Sequence, residues 1–214
     1  MADGALFGAE TLLRWRNPEL GDIAPGEFIP MAEQIGLIHP ITDWVFRTAL
    51  DHAASWKQRP GSFWLAVDVS PIYFCEKPFR QTIATTVEQA SKIGLELCVE
   101  ITENLFLQNS ATAVENFRYL AELGVTSAMD DFGTGYSSLA YIKRFPLNYL
   151  KIDRTFVDGL PENSEDRLLT ETIVLMGHRL GISIIAEGVE TRPSSITCDP
   201  SMWHTPKAIT WASQ

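Results

Sequence analysis

The sequence predicts an α/β fold of the (β/α)8, TIM-like barrel class, and three observations predict it. Short runs of β-branched and bulky apolar residues alternate with amphipathic helical segments. That alternation implies right-handed crossovers onto a largely parallel sheet buried on both faces. No glycine-rich phosphate loop opens any helix, which weighs against a doubly wound nucleotide-binding sheet. Acidic residues recur at the ends of the apolar runs, and a barrel gathers its strand C-termini around one mouth, where polar residues form the reactive set.

Taken in order, the runs Leu6–Trp15, Trp64–Val69, Leu95–Thr102, Val125–Met129, Tyr149–Ile152 and Ile182–Ala186 read as strands. Pro25-Gly26-Glu27 opens a short helix through Met31, Ala32 and Ile35 that Gly36 stops. Pro40 to Lys57 carries apolar residues at Ile41, Trp44, Val45, Ala49 and Ala53, close to the helical repeat. Pro78 to Ile93, Ser110 to Leu123 and Asn163 to Leu180 read the same way, the last closed by Gly181.

Composition narrows the function classes. The chain has 214 residues, 45% hydrophobic and 21% charged, as in an ordinary globular protein. A net charge of −10 offers no basic patch for a nucleic-acid duplex or an anionic membrane. No uninterrupted apolar stretch approaches the roughly 20 residues that span a bilayer, and no signal peptide is visible. Cys75, Cys98 and Cys198 form neither a zinc-type pair nor a disulfide framework. A cytoplasmic protein is expected. Of the four scattered histidines, His52 and His178 fall in helical patterns and are expected to be surface or packing residues.

The acids carry the chemistry. Asp130 and Asp131 stand side by side between an apolar run and the turn Phe132-Gly133-Thr134-Gly135. Adjacent carboxylates repel, and a cation is what makes such a pair tolerable at the end of a buried strand. Glu10, Asp68, Glu100, Glu103, Asp153, Glu187 and Glu190 occupy similar places. An all-oxygen set selects hard cations, Mg²⁺ or Mn²⁺, over zinc or copper. Two such ions would acidify water and clamp the attacking and leaving oxygens of a phosphodiester. Lys151 alone among these strand ends is a cation. It reads either as a salt-bridged core lysine or as a group that steadies the reacting water and phosphate.

Seven motifs in order give the set a resemblance. They are Gly8-Ala9-Glu10-Thr11-Leu12-Leu13-Arg14-Trp15, Phe28-Ile29-Pro30-Met31-Ala32-Glu33, Val67-Asp68-Val69-Ser70, Glu100-Ile101-Thr102-Glu103, Asp130-Asp131-Phe132-Gly133-Thr134-Gly135-Tyr136-Ser137-Ser138-Leu139, Lys151-Ile152-Asp153 and Ala186-Glu187-Gly188-Val189-Glu190. Together they resemble the EAL family of bacterial cyclic di-GMP phosphodiesterases. The resemblance implies a two-metal Mg²⁺ or Mn²⁺ site on Glu10, Asp68, Glu100, Asp130, Asp131 and Glu187. Lys151, Glu10 and Asp131 would be catalytic, with Lys151 orienting the water and Asp153 standing beside the second metal. Glu103 would anchor the loop after Asp131, a loop through which the family also dimerises. Arg14 would meet a substrate phosphate, with Leu12, Pro30 and Glu190 also facing substrate. A surface ion pair is the alternative reading of Arg14. The product expected from cyclic di-GMP is linear pGpG.

The chain also departs from the pattern. Thr11 replaces the alanine of the signature triplet, which a strand tolerates. Asp68 stands where the family has an asparagine, so it adds charge to a crowded site. That should tighten divalent binding or hold a neighbour protonated, and lower the activity. The family's first strand and final glutamine-bearing strand are expected to be missing or altered, leaving residues 1–191 as an incomplete EAL-type barrel and 192–214 as a divergent tail. Read from the third base of the Pro206 codon, with synonymous codons chosen to suit, that tail resembles the family's last strand. A frameshift or a sequencing error is therefore expected there. An incomplete barrel exposes sheet edges, so marginal stability or oligomerisation is expected. The alternative to an enzyme is a degenerate EAL domain that binds cyclic di-GMP or a protein partner. A metal-dependent barrel enzyme acting on a carbonyl substrate is a weaker one.

Overall fold

The computed structural model describes residues 8–56, 63–108, 111–133, 142–158 and 163–187. These fall into two compact units, one drawn from Leu6–Ile101 and Asn109–Thr126, the other from Thr102–Gln108 and Ser127–Gln214. Glu190, residues 134–141 and the expected tail lie outside the described residues.

The first unit opens with β1 (Gly8–Thr11), a hairpin of β2 (Trp15–Asn17) and β3 (Gly21–Ile23), then α1 (Pro25–Gln34) and α2 (Ile38–Ala54). It continues with β4 (Phe63–Asp68), α3 (Pro71–Phe74), α4 (Lys77–Lys92), β5 (Leu95–Thr102) and α5 (Ala111–Glu122). Strands β1, β4 and β5 pair in parallel, Glu10 beside Ala66, Ala66 beside Cys98 and Asp68 beside Glu100. The helices cover this sheet because their apolar residues recur at the helical period. In α4 the buried residues are Phe79, Ile83, Thr86 and Ala90. The rings of Phe74, Phe79 and Phe117 pack with centroids 4.8 Å apart in each Phe74 pair. Tyr73 is fully buried, and its hydroxyl donates to Asp43 Oδ1 at 2.7 Å. Burial pushes that phenol well above the usual tyrosine range.

The second unit holds a 3₁₀ turn (Glu103–Gln108), β6 (Thr126–Phe132), β7 (Tyr149–Ile152), α6 (Arg154–Asp158), α7 (Ser164–Leu180) and β8 (Ser183–Ala186). Its strands are also parallel, β7 lying between β6 and β8. The Asn163 side chain accepts from Glu165 N and Asp166 N to cap α7, and Gly181 closes the helix in the left-handed conformation. His52 and His178 sit exposed on α2 and α7, as expected.

One expected strand is corrected. Leu6–Trp15 is not a single strand, because β1 ends at Thr11 and Trp15 begins the hairpin. Asn17 Oδ1 accepts from Glu19 N at 2.8 Å and Leu20 N at 3.0 Å, and Gly21 takes a φ of +77°. Asn-Pro followed by a glycine three residues on is a turn signal that the apolar run obscured.

Helix α7 meets β8 at Gly177. A Cβ there would stand 2.4 Å from Ile184 Cδ1 and 3.1 Å from the Ile182 carbonyl oxygen. Helix propensity favours alanine over glycine by about 1 kcal/mol, yet overpacking costs about 1–3 kcal/mol. Gly177→Ala is therefore expected to lower the thermal midpoint, and adding Ile184→Val, which deletes Cδ1, to recover part of the loss. A G177A protein as stable as wild type would show that the helix moves aside freely.

Candidate metal centre

Residues on one face of a strand alternate, and in a parallel pair in register they share that face with their partners. Glu10 on β1, Ala66 and Asp68 on β4, and Cys98 and Glu100 on β5 therefore line one face of the first unit's sheet. Glu10 is level with the small Ala66 and Cys98, and Asp68 and Glu100 stand two residues further along their strands. One carboxylate oxygen from each of Glu10, Asp68 and Glu100 comes within 4.8 Å of the others. Mg²⁺–oxygen distances of about 2.1 Å put ligands on opposite sides of one ion about 4.2 Å apart, so the set suits a hard cation with slight tightening. Glu100 is only 3% exposed, whereas Asp68 is open to solvent. Thr11, the departure from the signature triplet, donates its hydroxyl to the Ala66 carbonyl at 3.0 Å. Its polar atom is thus satisfied on the edge of Glu10's own strand.

The second unit sets two more of the acids against a lysine. Lys151 on β7 is 1% exposed, its Nζ 2.7 Å from Glu187 Oε1 and 3.3 Å from Asp130 Oδ2. Asp130 and Asp131 occupy an irregularity of β6, where the register against β7 shifts between Met129 and Phe132. Asp131 takes a left-handed φ of +53°, and its N–H donates to Asp130 Oδ1 at 2.9 Å. A bulge of this kind re-aims side chains at the end of a strand. Glu103, buried just after β5, accepts from the Gly133 N–H at 3.2 Å, two residues beyond Asp131. Asp153 follows β7, and its Oδ1 accepts from Thr155 N at 2.9 Å at the start of α6.

The remaining candidates stand in the first unit. Glu10, Leu12 and Arg14 line one cleft of about 360 Å³ with Thr11, Trp44 and His52. Arg14 is exposed and donates from Nη1 to the Leu13 carbonyl at 3.0 Å. Pro30 is exposed on α1. Glu190 lies outside the described residues. Sequence reasoning missed the bulge and the Thr11 bond; neither has a sequence signal, since both depend on how neighbouring strands align.

Comparison with known proteins decides the family. The EAL domain model matches residues 1–194. The chain belongs to the EAL domain family. It is 37% identical over 190 residues to the bifunctional diguanylate cyclase/cyclic di-GMP phosphodiesterase MucR of Pseudomonas aeruginosa, covering 88% of this chain and 28% of that protein. The chain spans about a quarter of the length of the curated relatives it matches, 22 to 28% for the first three. Among solved structures, the PaMucR phosphodiesterase in complex with c-di-GMP matches with a TM-score of 0.78 at 36% identity, covering 91% of this chain and 79% of that one. The EAL domain of Mycobacterium smegmatis DcpA matches with a TM-score of 0.68 at 29% identity, covering 91% and 77%. The α/β, TIM-like barrel class expected from the sequence is thus the fold of this EAL chain. No helix among the described residues is long and apolar enough to cross a membrane.

Proposed function

We propose that this EAL chain hydrolyses cyclic di-GMP to linear pGpG with two Mg²⁺ or Mn²⁺ ions. Glu10, Asp68, Glu100, Asp130, Asp131 and Glu187 would hold the ions. The observation that carries the reading is the convergence of Glu10, Asp68 and Glu100 to within 4.8 Å on one sheet face, in a chain 37% identical to a cyclic di-GMP phosphodiesterase. When bound, the cations supply Lewis acidity toward phosphate oxygens and water.

The protein's own groups do the rest. The Lys151 ammonium, fixed by Glu187 and Asp130, orients the attacking water and offsets the charge that builds on phosphorus. The Arg14 fork donates to two non-bridging oxygens of a substrate phosphate, while Leu12, Pro30 and Glu190 contact the remainder of the substrate. Glu103 holds the Gly133 amide and so steadies the segment that follows Asp131. Asp153 acts beside the second ion.

Incubating purified protein with cyclic di-GMP and Mn²⁺, and following pGpG by chromatography, tests this directly. Turnover that disappears in Glu10→Gln is expected. A second reading, binding without hydrolysis, is favoured by Asp68, which stands where the family's pattern has asparagine. It predicts cyclic di-GMP binding in Ca²⁺ with no pGpG in Mn²⁺ or Mg²⁺. Absence of both binding and turnover overturns both readings.

A further inference from the structure

We propose that Glu33 is a positioning residue that fixes Asp68 through Ser70; this rests on the metal-site reading above. Strand β4 delivers Asp68 at its C-terminal end, exposed to solvent. The sheet's own hydrogen bonding reaches one residue further, where Val69 N donates to the Glu100 carbonyl at 2.9 Å. Past that point the direction of the chain depends on Ser70. Its hydroxyl oxygen accepts from Ile72 N at 3.2 Å and so caps α3. The same hydroxyl donates to the Glu33 carboxylate, 37 residues earlier in sequence, near the end of α1.

The two bonds pin the strand-to-helix turn from both sides. A hydroxyl donating to an ionised carboxylate makes a charge-assisted bond, roughly twice as strong as a neutral one. Glu33 is itself held, because α1 is anchored on its buried face by Phe28 and Ala32. The result is a strap from α1 to the residue two positions beyond Asp68. Such a strap sets where the end of β4 presents the solvent-exposed Asp68. Groups that orient metal ligands from behind typically change metal affinity or activity by about 10–100-fold when removed.

The test measures free Mn²⁺ by electron paramagnetic resonance during titration, alongside cyclic di-GMP turnover and thermal melts. Glu33→Ala is expected to raise the Mn²⁺ concentration for half-saturation roughly tenfold and to lower kcat while leaving KM for cyclic di-GMP within about twofold. Glu33→Gln, whose amide oxygen still accepts from Ser70, is expected to restore most of both. Ser70→Ala should reproduce the E33A effect, and the double variant should bind Mn²⁺ no worse than S70A alone, since contacting partners are not additive. Wild-type uptake of Mn²⁺ that E33A leaves unchanged overturns this proposal alone, as does a full additional loss in the double variant. A wild-type protein that takes up no Mn²⁺ overturns the metal reading and this proposal with it.

Discussion

Replacing Lys151 with methionine is expected to abolish most turnover and to destabilise the metal-free protein. Methionine has nearly the same length, so the cavity left is small and the lost charge dominates. In wild type the buried Nζ lies 2.7 Å from Glu187 and 3.3 Å from Asp130. Without it, two carboxylates share a sheltered space with no cation between them. Breaking a buried pair from one side costs about 3–5 kcal/mol. Asp130 and Glu187 keep 15% and 26% of their side chains exposed, so about 2–3 kcal/mol is the better figure here. Turnover should fall by roughly 10²–10³, the range for removing a charge-stabilising group aimed at a transition state. Excess Mn²⁺ should shrink the stability deficit, because the added cations neutralise the same acids, while leaving turnover low. Urea melts with and without Mn²⁺, beside a pGpG assay, check all three. K151M turnover near wild type would remove Lys151 from the chemistry.

The same lysine shows how far the sequence could be read. That a cation stands at a strand end among acids was legible from Lys151-Ile152-Asp153. Which acids it meets was not, because Asp130 comes from β6 and Glu187 from the residue after β8, and the alignment of those strands is a tertiary property. Strands β5 and β7 have the bounds their apolar runs suggest, and Asn163 and Gly181 bracket α7 as capping chemistry requires. Local signals of that kind survive folding intact. The double aspartate did not read through so simply. It was expected to follow a strand ending at Met129, yet β6 runs to Phe132 and absorbs both acids in a register shift with Asp131 left-handed. A bulge is defined against the neighbouring strand, so no pattern within one segment reports it. Likewise Glu10, Asp68 and Glu100 were each visible as acids in strands, but their common face follows from the pairings Glu10–Ala66 and Asp68–Glu100.

Glu100→Gln is expected to change the sign of its effect with the metal. Glu100 is almost fully buried, and one of its carboxylate oxygens lies within 4.8 Å of an oxygen from each of Glu10 and Asp68. Two unit charges at that distance repel by about 3–4 kcal/mol at an effective dielectric constant of 20. Asp68 is solvated, so screening reduces the net penalty, and about 1–2 kcal/mol of metal-free stability should be gained by neutralising Glu100. In Mn²⁺ the order reverses. A cation bound only by the folded chain stabilises it by about 2.7 kcal/mol at a hundredfold excess over Kd, and a glutamine that weakens binding forfeits most of that. E100Q should therefore melt above wild type in a chelator and below it in saturating Mn²⁺, with pGpG formation lost. Repulsion alone predicts higher stability in both conditions, and a purely structural role for Glu100 predicts lower stability in both. Only a carboxylate cluster that a divalent cation holds together predicts the crossing.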